Sequence, residues 1–346
     1  MSAVPIERII KAAVDRGASD LHIKAGDLFR ARIDGKLVPL TKQRLTPDQT
    51  KAIALKLLPS ERARASLESM LDYDCSWGLP GVGRFQFSIL RQRSSVMIVM
   101  RVIPFAVPSI EQLGLPDQVR SLADLNLGLV LVAGVVGSGK SSTIAAMLHH
   151  MNQSHRRHVV TVEDPIEFLH RDINCSITQR EVGIDTETVR AGVRAALRQD
   201  PDVIVVGDVH DGDTLETALR ATETGRLVIG AVHALDGPAA IGQAAAMVPP
   251  DLRDMTRNRL AECLTAVVSQ QLVPRRDGAG RVAVVELLMA TPQVREVIRG
   301  ENLAALADLV AKGQRHGMQS FQVHAAELLK AGIIAPETAK SFGGRR

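Results

Sequence analysis

The stretch GVVGSGKS, Gly134 to Ser141, fits the spacing G-x-x-x-x-G-K-[ST] and lies between an apolar run and a helical pattern. Glycines so placed let backbone N–H groups wrap around a phosphate, and the start of the following helix adds positive potential. The predicted ATP cradle is therefore Gly134, Val135, Val136, Gly137, Ser138, Gly139, Lys140, Ser141 and Ser142. In such a cradle Lys140 reaches the β- and γ-phosphates and the Ser141 hydroxyl binds Mg²⁺.

Three other apolar runs end in functional groups. TVEDPIEF delivers Glu163 and Asp164, VIVVGDVHD delivers Asp208, His210 and Asp211, and LVIGAVHA delivers His233. Parallel strands present their C-terminal ends to one crevice, so these groups should line the phosphate site. In-line attack on a γ-phosphate needs an acceptor to hold a water, a carboxylate for the magnesium and a group that senses the phosphate. Glu163 suits the water, Asp208 the magnesium shell and His233 the γ-phosphate. Asp164 fits an ion pair or turn cap as well as direct chemistry. His149, His150, His155 and His158 cluster at a helix end and loop with no acidic or cysteine partner nearby in sequence, which reads as a solvated face.

The elements that must hold these groups follow from periodicity. Val/Ile-rich runs alternate with helical patterns at 140–152, 186–198 and 212–222, the signature of a buried, mostly parallel sheet. Two further strands read at LTAVVSQQLV and RVAVVELLM; the chain is otherwise helical after 252, with Leu303, Leu306, Leu309 and Val310 as a core stripe, and SFGGRR reads as a loose tail. Ahead of this, an amphipathic helix at Ile6, Ile9, Ile10, Ala13 and Val14 precedes alternating stretches DLHIKA, LFRARIDGKLVPL with a turn at Asp34-Gly35, and GRFQFSILRQRSSVMIVMRVIP, with helix near 47–71. The predicted organisation is a small α+β domain over 1–102, a proline-broken linker over 103–116 and an α/β domain over 117–346.

Composition sets the remaining bounds. The 346 residues, 45% hydrophobic and 23% charged, suit two globular domains. The excess of 42 basic over 38 acidic residues is small and dispersed, which argues against nucleic acid as a partner. The three cysteines form no C-x-x-C pair and suit a reducing cytoplasm. The longest apolar run, Leu127 to Val136, is far short of the ~20 residues that span a bilayer, so membrane contact is expected only through a partner.

These segments resemble the type II/IV secretion ATPases, and within them the PilT-like branch that retracts type IV pili. ASDLHIKAGDLFRARIDG resembles the opening of that family's PAS-like N-terminal domain, GVVGSGKSSTIAAML its Walker A, TVEDPIEF its Asp box, LRQDPDVIVVGDVHD its Walker B and ETGRLVIGAVHA its His box. TPQVREVIRG lies where the branch carries a C-terminal motif, and the likeness runs over about residues 5 to 340. The resemblance implies a RecA-like P-loop NTPase core, a homo-hexameric ring that hydrolyses ATP with Mg²⁺, and mechanical output through an inner-membrane platform protein. It also implies arginines of the N-terminal domain that contact phosphates, which fall on Arg84, Arg93 and Arg101. Assembly-type relatives carry an extra N-terminal domain and a four-cysteine element; their lack here points to the retraction branch.

Four departures from the family pattern stand out. Its Walker B ends Gly-Glu-Met-Arg-Asp, against Gly207, Asp208, Val209, His210 and Asp211 here. The His box has Val232 and Ala234 where threonines are usual, Val136 replaces a Walker A threonine, and Gly300 replaces an acid after Arg295, Ile298 and Arg299. Two functions follow: a retraction motor, or a degenerate paralogue that binds ATP with weak turnover beside a second PilT-like motor. A DNA-translocating ATPase of related core is the third, disfavoured by the absence of a basic run.

Overall fold

Alternating apolar residues in the first third of the chain pair into an antiparallel sheet. The computed structural model describes residues 6–33, 35–58, 60–103, 106–278, 280–300 and 302–343. Asp34 of the predicted hairpin turn lies outside them; Gly35, with φ 75°, supplies the left-handed residue the turn needs. Two units form: one through Ala106 with Glu167–Leu169, the other from Val107 onward less that segment.

In the first unit, α1 (Ile6–Val14) leads into β1 (Ala18–Lys24), β2 (Arg30–Ile33) and β3 (Lys36–Pro39). Then come α2 (Pro47–Leu57), α3 (Glu61–Ser66), β4 (Asp72–Leu79), β5 (Gly83–Gln92) and β6 (Ser95–Ile103). The sheet order is β3-β2-β1-β6-β5-β4. Phe85, Phe87, Ile98 and Met100 are fully buried with Leu21, Ile23 and Ile10 beneath the helices. The single helical stretch expected near 47–71 is two helices, the first ended at Leu58 and the second capped by Ser60. Strand β4, at the sheet edge, is an addition to the expected strands: Tyr73, Cys75, Trp77 and Leu79 of DYDCSWGL pack on the core, and Asp72, Asp74 and Ser76 alternate onto the other face.

The second unit begins at α4 (Asp117–Ala123) and β7 (Gly128–Ala133), followed by α5 (Lys140–Ser154), β8 (His158–Glu163), β9 (Ser176–Glu181) and α6 (Val189–Ala196). It continues with β10 (Val203–Val206), α7 (Gly212–Glu223), β11 (Leu227–Val232), α8 (Gly237–Ala246) and α9 (Arg253–Cys263). The long pair β12 (Leu264–Pro274) and β13 (Arg281–Met289) precedes α10 (Pro292–Arg299), α11 (Ala305–Lys312), α12 (Phe321–Lys330) and α13 (Pro336–Gly343). The sheet order is β13-β12-β7-β11-β10-β8-β9, with every pair parallel except β12–β13. The expected α/β class with a mainly parallel sheet is the one observed.

Every residue of β7, β10 and β11 is buried, as a parallel sheet covered on both faces requires. One face packs on α6 to α11, and the other on α4 and α5. Leu306 and Val310 are buried on the first face, as the helical stripe predicts. Two expectations fail. Strand β9 was missed because SITQRE is polar, which an edge position tolerates. Of the stretch SFGGRR, expected to be a loose tail, the part through Gly343 is helical, with Phe342 docked against Phe321 at a ring-centroid distance of 5.9 Å, and residues 344–346 lie outside the described residues.

Candidate nucleotide site

The loop between β7 and α5 is shaped by its glycines. Gly137 and Gly139 hold φ of 76° and 91°, a region that L side chains rarely adopt. A Cβ on Gly134 would lie 2.2 Å from Ser138 Oγ and 2.8 Å from the Gln270 carbonyl, so only glycine fits there. Lys140, nearly buried at the start of α5, donates from Nζ to the Gly134 and Val135 carbonyls at 2.8 and 3.2 Å. Val136 projects outward, 83% exposed, which suits a backbone role in the cradle.

Strand order then decides what faces the loop. Val232 of β11 pairs with Ala133 of β7, and Val206 of β10 pairs with both Gly230 of β11 and Val162 of β8. The groups that follow these residues therefore emerge at one end of the sheet. His233 Nδ1 lies 3.3 Å from Lys140 Nζ, and its Nε2 lies 3.6 Å from Asp208 Oδ1. Asp208 Oδ2 is 3.5 Å from His210 Nδ1, whose Nε2 is 3.3 Å from Asp211 Oδ2. A continuous polar chain thus runs from Lys140 through His233 and Asp208 to His210.

Glu163 closes β8 beside this chain; Gly207 donates its N–H to the Val162 carbonyl at 2.8 Å. Thr161 Oγ1 and Gln179 Nε2 both donate to Glu163 Oε1, at 2.5 and 3.1 Å, and so anchor that oxygen of the carboxylate. A cis peptide joins Asp164 to Pro165. Asp211 has a separate duty as the N-cap of α7, accepting from the Thr214 N–H at 2.7 Å and its hydroxyl at 3.0 Å. Burial works to raise the Asp211 pKa, but the Thr214 bonds and His210 outweigh it and hold the carboxyl below its ordinary range.

A divalent cation has a fitting donor set here. Asp208 Oδ1 is buried and accepts no hydrogen bond, leaving one carboxylate oxygen for a cation or its water, and the Ser141 hydroxyl starts the helix that follows the loop.

Three supporting residues escaped the sequence reading. Gln270 of β12, fully buried, donates from Nε2 to the Ser138 carbonyl at 2.7 Å and accepts from Thr143 Oγ1 at 2.7 Å, tying the loop to α5. Gln179 orients Glu163, and Glu181 Oε2 accepts the Ile166 N–H at 3.2 Å to hold the turn after β8. Behind the loop, Gly139, Ser142, Thr143 and Gln270 join Leu113, Leu272 and Ala283 around a cleft of about 480 Å³, a size suited to a small ligand.

The three predicted arginines lie in the first unit. Arg84 pairs with Ile103 and Gln86 with Arg101, so Arg84 and Arg101 share one face at one end of the β5–β6 hairpin. Arg84 donates to Ser76 Oγ at 2.7 Å, and Arg101, with its side chain 72% exposed, pairs with Asp20 at 3.4 Å. Arg93, with φ 46°, sits at the hairpin tip, roughly 27 Å away at ~3.4 Å per strand residue. The hairpin brings two of the three together. The expectation for the histidines also changes: His150 and His155 both bond Asp124 of the α4 end, an acidic partner that sequence distance concealed.

Comparison with known proteins places this geometry. The model of the family described as type II/IV secretion system protein matches residues 3–334. The type IV pilus retraction ATPase PilT of Pseudomonas aeruginosa is 36% identical over 335 residues, covering 97% of each chain. The type IV pilus ATPase PilU of the same organism is also 36% identical over 335 residues, covering 96% of this chain and 87% of its own. A crystal structure of the pilus retraction motor PilT with bound ADP superposes with a TM-score of 0.89 at 39% identity, over 99% of this chain and 98% of that one.

Proposed function

The chain belongs to the type II/IV secretion system protein family and is an ATPase of it; from that premise we propose that it is a homo-hexameric motor driving type IV pilus retraction. The observation that carries the reading is the polar chain Lys140–His233–Asp208, set at the sheet end where the phosphate loop opens and Glu163 emerges.

ATP seats its phosphates on Gly134 to Ser142, with Lys140 turned from the loop carbonyls to the β- and γ-phosphates. The base enters the cleft behind the loop, between the aliphatic walls of Leu113 and Leu272. Ser141 and Asp208 would hold Mg²⁺, which when bound neutralises charge developing on the phosphates. Glu163, with Oε1 anchored by Thr161 and Gln179, polarises the attacking water. His233 contacts the γ-phosphate from its position beside Lys140, so that loss of that phosphate is felt at Asp208. Arg84 and Arg101 of a PAS-like N-terminal domain spanning 1–102 supply permanent charge to the phosphates, Arg93 being too far along the hairpin to join them, and movement of that domain relative to the ATPase domain, 117–346, becomes the power stroke. Among the described residues no helix is long and apolar enough to cross a membrane. The ring works in the cytoplasm, peripheral to the inner membrane, through a platform protein of the pilus machine.

A second reading keeps the same site with weak turnover, in a paralogue that serves a PilT-like motor. Two observations favour it: equal identity to PilT and PilU, and a His210 side chain, 58% exposed, in place of a permanent cation.

Steady-state ATP hydrolysis by the purified chain tests the first reading. Lys140→Ala abolishes turnover and Glu163→Gln lowers it by about 10²- to 10⁴-fold, the usual contribution of a positioned general base. Unchanged rates in both variants overturn it.

A further inference from the structure

Three side chains with metal-binding chemistry meet at the far end of the phosphate-loop helix. Asp124 is the C-cap of α4, His150 lies in the last turns of α5 and His155 is its C-cap. His150 Nε2 and His155 Nε2 approach the same Asp124 oxygen, Oδ1, at 2.8 and 2.7 Å. The three donor atoms lie within 4.8 Å of one another, and the two imidazoles stand edge to face at 80° with centroids 6.3 Å apart. The side chains are 44%, 21% and 28% exposed, partly sheltered yet open to solvent on one side.

The backbone beneath is braced. His155 donates its N–H to the Met151 carbonyl at 2.7 Å. Arg157 donates to the carbonyls of Ala123, Asp124 and Leu125 and to the Asn126 side chain, fastening the α4 end to the segment after α5. The cluster is therefore held by contacts other than its own, and a ligand can replace the imidazole–carboxylate bonds without releasing the loop.

We propose that Asp124, His150 and His155 form a binding site for zinc or a similar late first-row divalent cation. Two imidazole nitrogens and one carboxylate oxygen make a borderline donor set that suits Zn²⁺, and three protein ligands leave a fourth position for water. Magnesium, which prefers oxygen ligands in an octahedron, is a poor match. Each Nε2–H now donates to the carboxylate; on metal binding Nε2 becomes the ligand and the proton resides on Nδ1, as in other neutral histidine ligands. Lys140 lies ten residues from His150 along α5, roughly 15 Å at 1.5 Å per residue. The ion is thus remote from the phosphates and clamps the segment that follows the linker to the helix that carries the loop.

The test uses the full chain, stripped with a chelator and titrated with ZnCl₂ in calorimetry without nucleotide, beside Co²⁺ absorption spectra and thermal melts. The wild type should bind one high-affinity equivalent per chain, with a rise in Tm. Asp124→Asn, His150→Ala and His155→Ala should each weaken that binding by at least the ~10–100-fold lost when an outer partner of a metal ligand is removed, and lose the Tm rise. His149→Ala, whose ring contacts Gln153 instead, should bind as the wild type does, and His210→Ala separates this site from zinc held at the nucleotide site. Absence of stoichiometric binding in the wild type, or binding unchanged in both His150→Ala and His155→Ala, overturns the proposal.

Discussion

Asp208 carries one methylene fewer than the glutamate of the family pattern. The aspartate stands where the family pattern has glutamate, and its carboxylate is shared between His233 at 3.6 Å and His210 at 3.5 Å. A misplacement of about 1 Å can cost on the order of a hundredfold in rate. Here, however, the backbone of Gly207 packs closely on Glu163, where an added Cβ would lie 3.0 Å from the Glu163 Cα, so β10 delivers Asp208 close to its neighbours. The double variant Asp208→Glu, His210→Arg therefore changes kcat by less than about tenfold if the chain is a motor; a gain of a hundredfold supports the weak paralogue, since that is the scale of a misplaced carboxylate. His233→Ala removes the link between Lys140 and Asp208 and should lower kcat more than it raises KM, because the contact matters most as the γ-phosphate departs.

Single elements carry constraints that point away from the chemistry. Gly192 sets α6 against β8: a Cβ there would lie 2.6 Å from Val162 Cγ1, one residue before Glu163. Gly192→Ala should cost ~1–3 kcal/mol by overpacking, read as a lower urea midpoint. Strand β13 carries a titrating group in Glu286, which is buried and accepts the Gly237 N–H of α8 at 2.8 Å. Burial pushes its pKa from 4.5 up to about 7, the Gly237 N–H opposes this and Asp236 adds to it. Because the folded value is the higher one, the contribution is present in full below pH 4.5 and is lost as the pH rises through about 7. Glu286→Gln keeps the acceptor without the charge. It should exceed the wild type in stability at pH 8 by up to roughly 3 kcal/mol and lose that advantage near pH 5, as urea melts at the two pH values would show.

For the whole molecule, the proposed ring makes the site depend on groups from the N-terminal unit. Arg84 and Arg101 share one face of the β5–β6 hairpin, and the Arg101 side chain, 72% exposed, pairs with Asp20 at 3.4 Å, a kind of surface contact worth little. In a hexamer each of Arg84→Ala and Arg101→Ala should lower ATP turnover more than ATP affinity. Sedimentation with ATP should show six chains for both variants and for the wild type. A monomeric wild type with full turnover would contradict the motor reading.

The phosphate loop was legible because its chemistry is contiguous: eight neighbouring residues, Gly134 to Ser141, carry glycine torsions, lysine and hydroxyl in one turn. The parallel sheet was legible because strands buried on both faces must be runs of Val and Ile, and the rule that such strands share a ligand-binding end predicted that Glu163, Asp208 and His233 would emerge together. A polar edge strand such as β9, SITQRE, leaves no such trace, and Gln179 and Glu181 are hidden with it, whereas β4 does alternate, with Tyr73, Cys75, Trp77 and Leu79 on its core face. Long-range partners are equally silent. Gln270 reaches the Ser138 carbonyl across 132 residues, and Asp124 meets His150 across 26. Residue types and local spacing thus determined which groups could act. Only the tertiary structure decided which distant side chains hold them, because a buried hydrogen bond depends on where two strands or helices come to rest rather than on their separation in the chain.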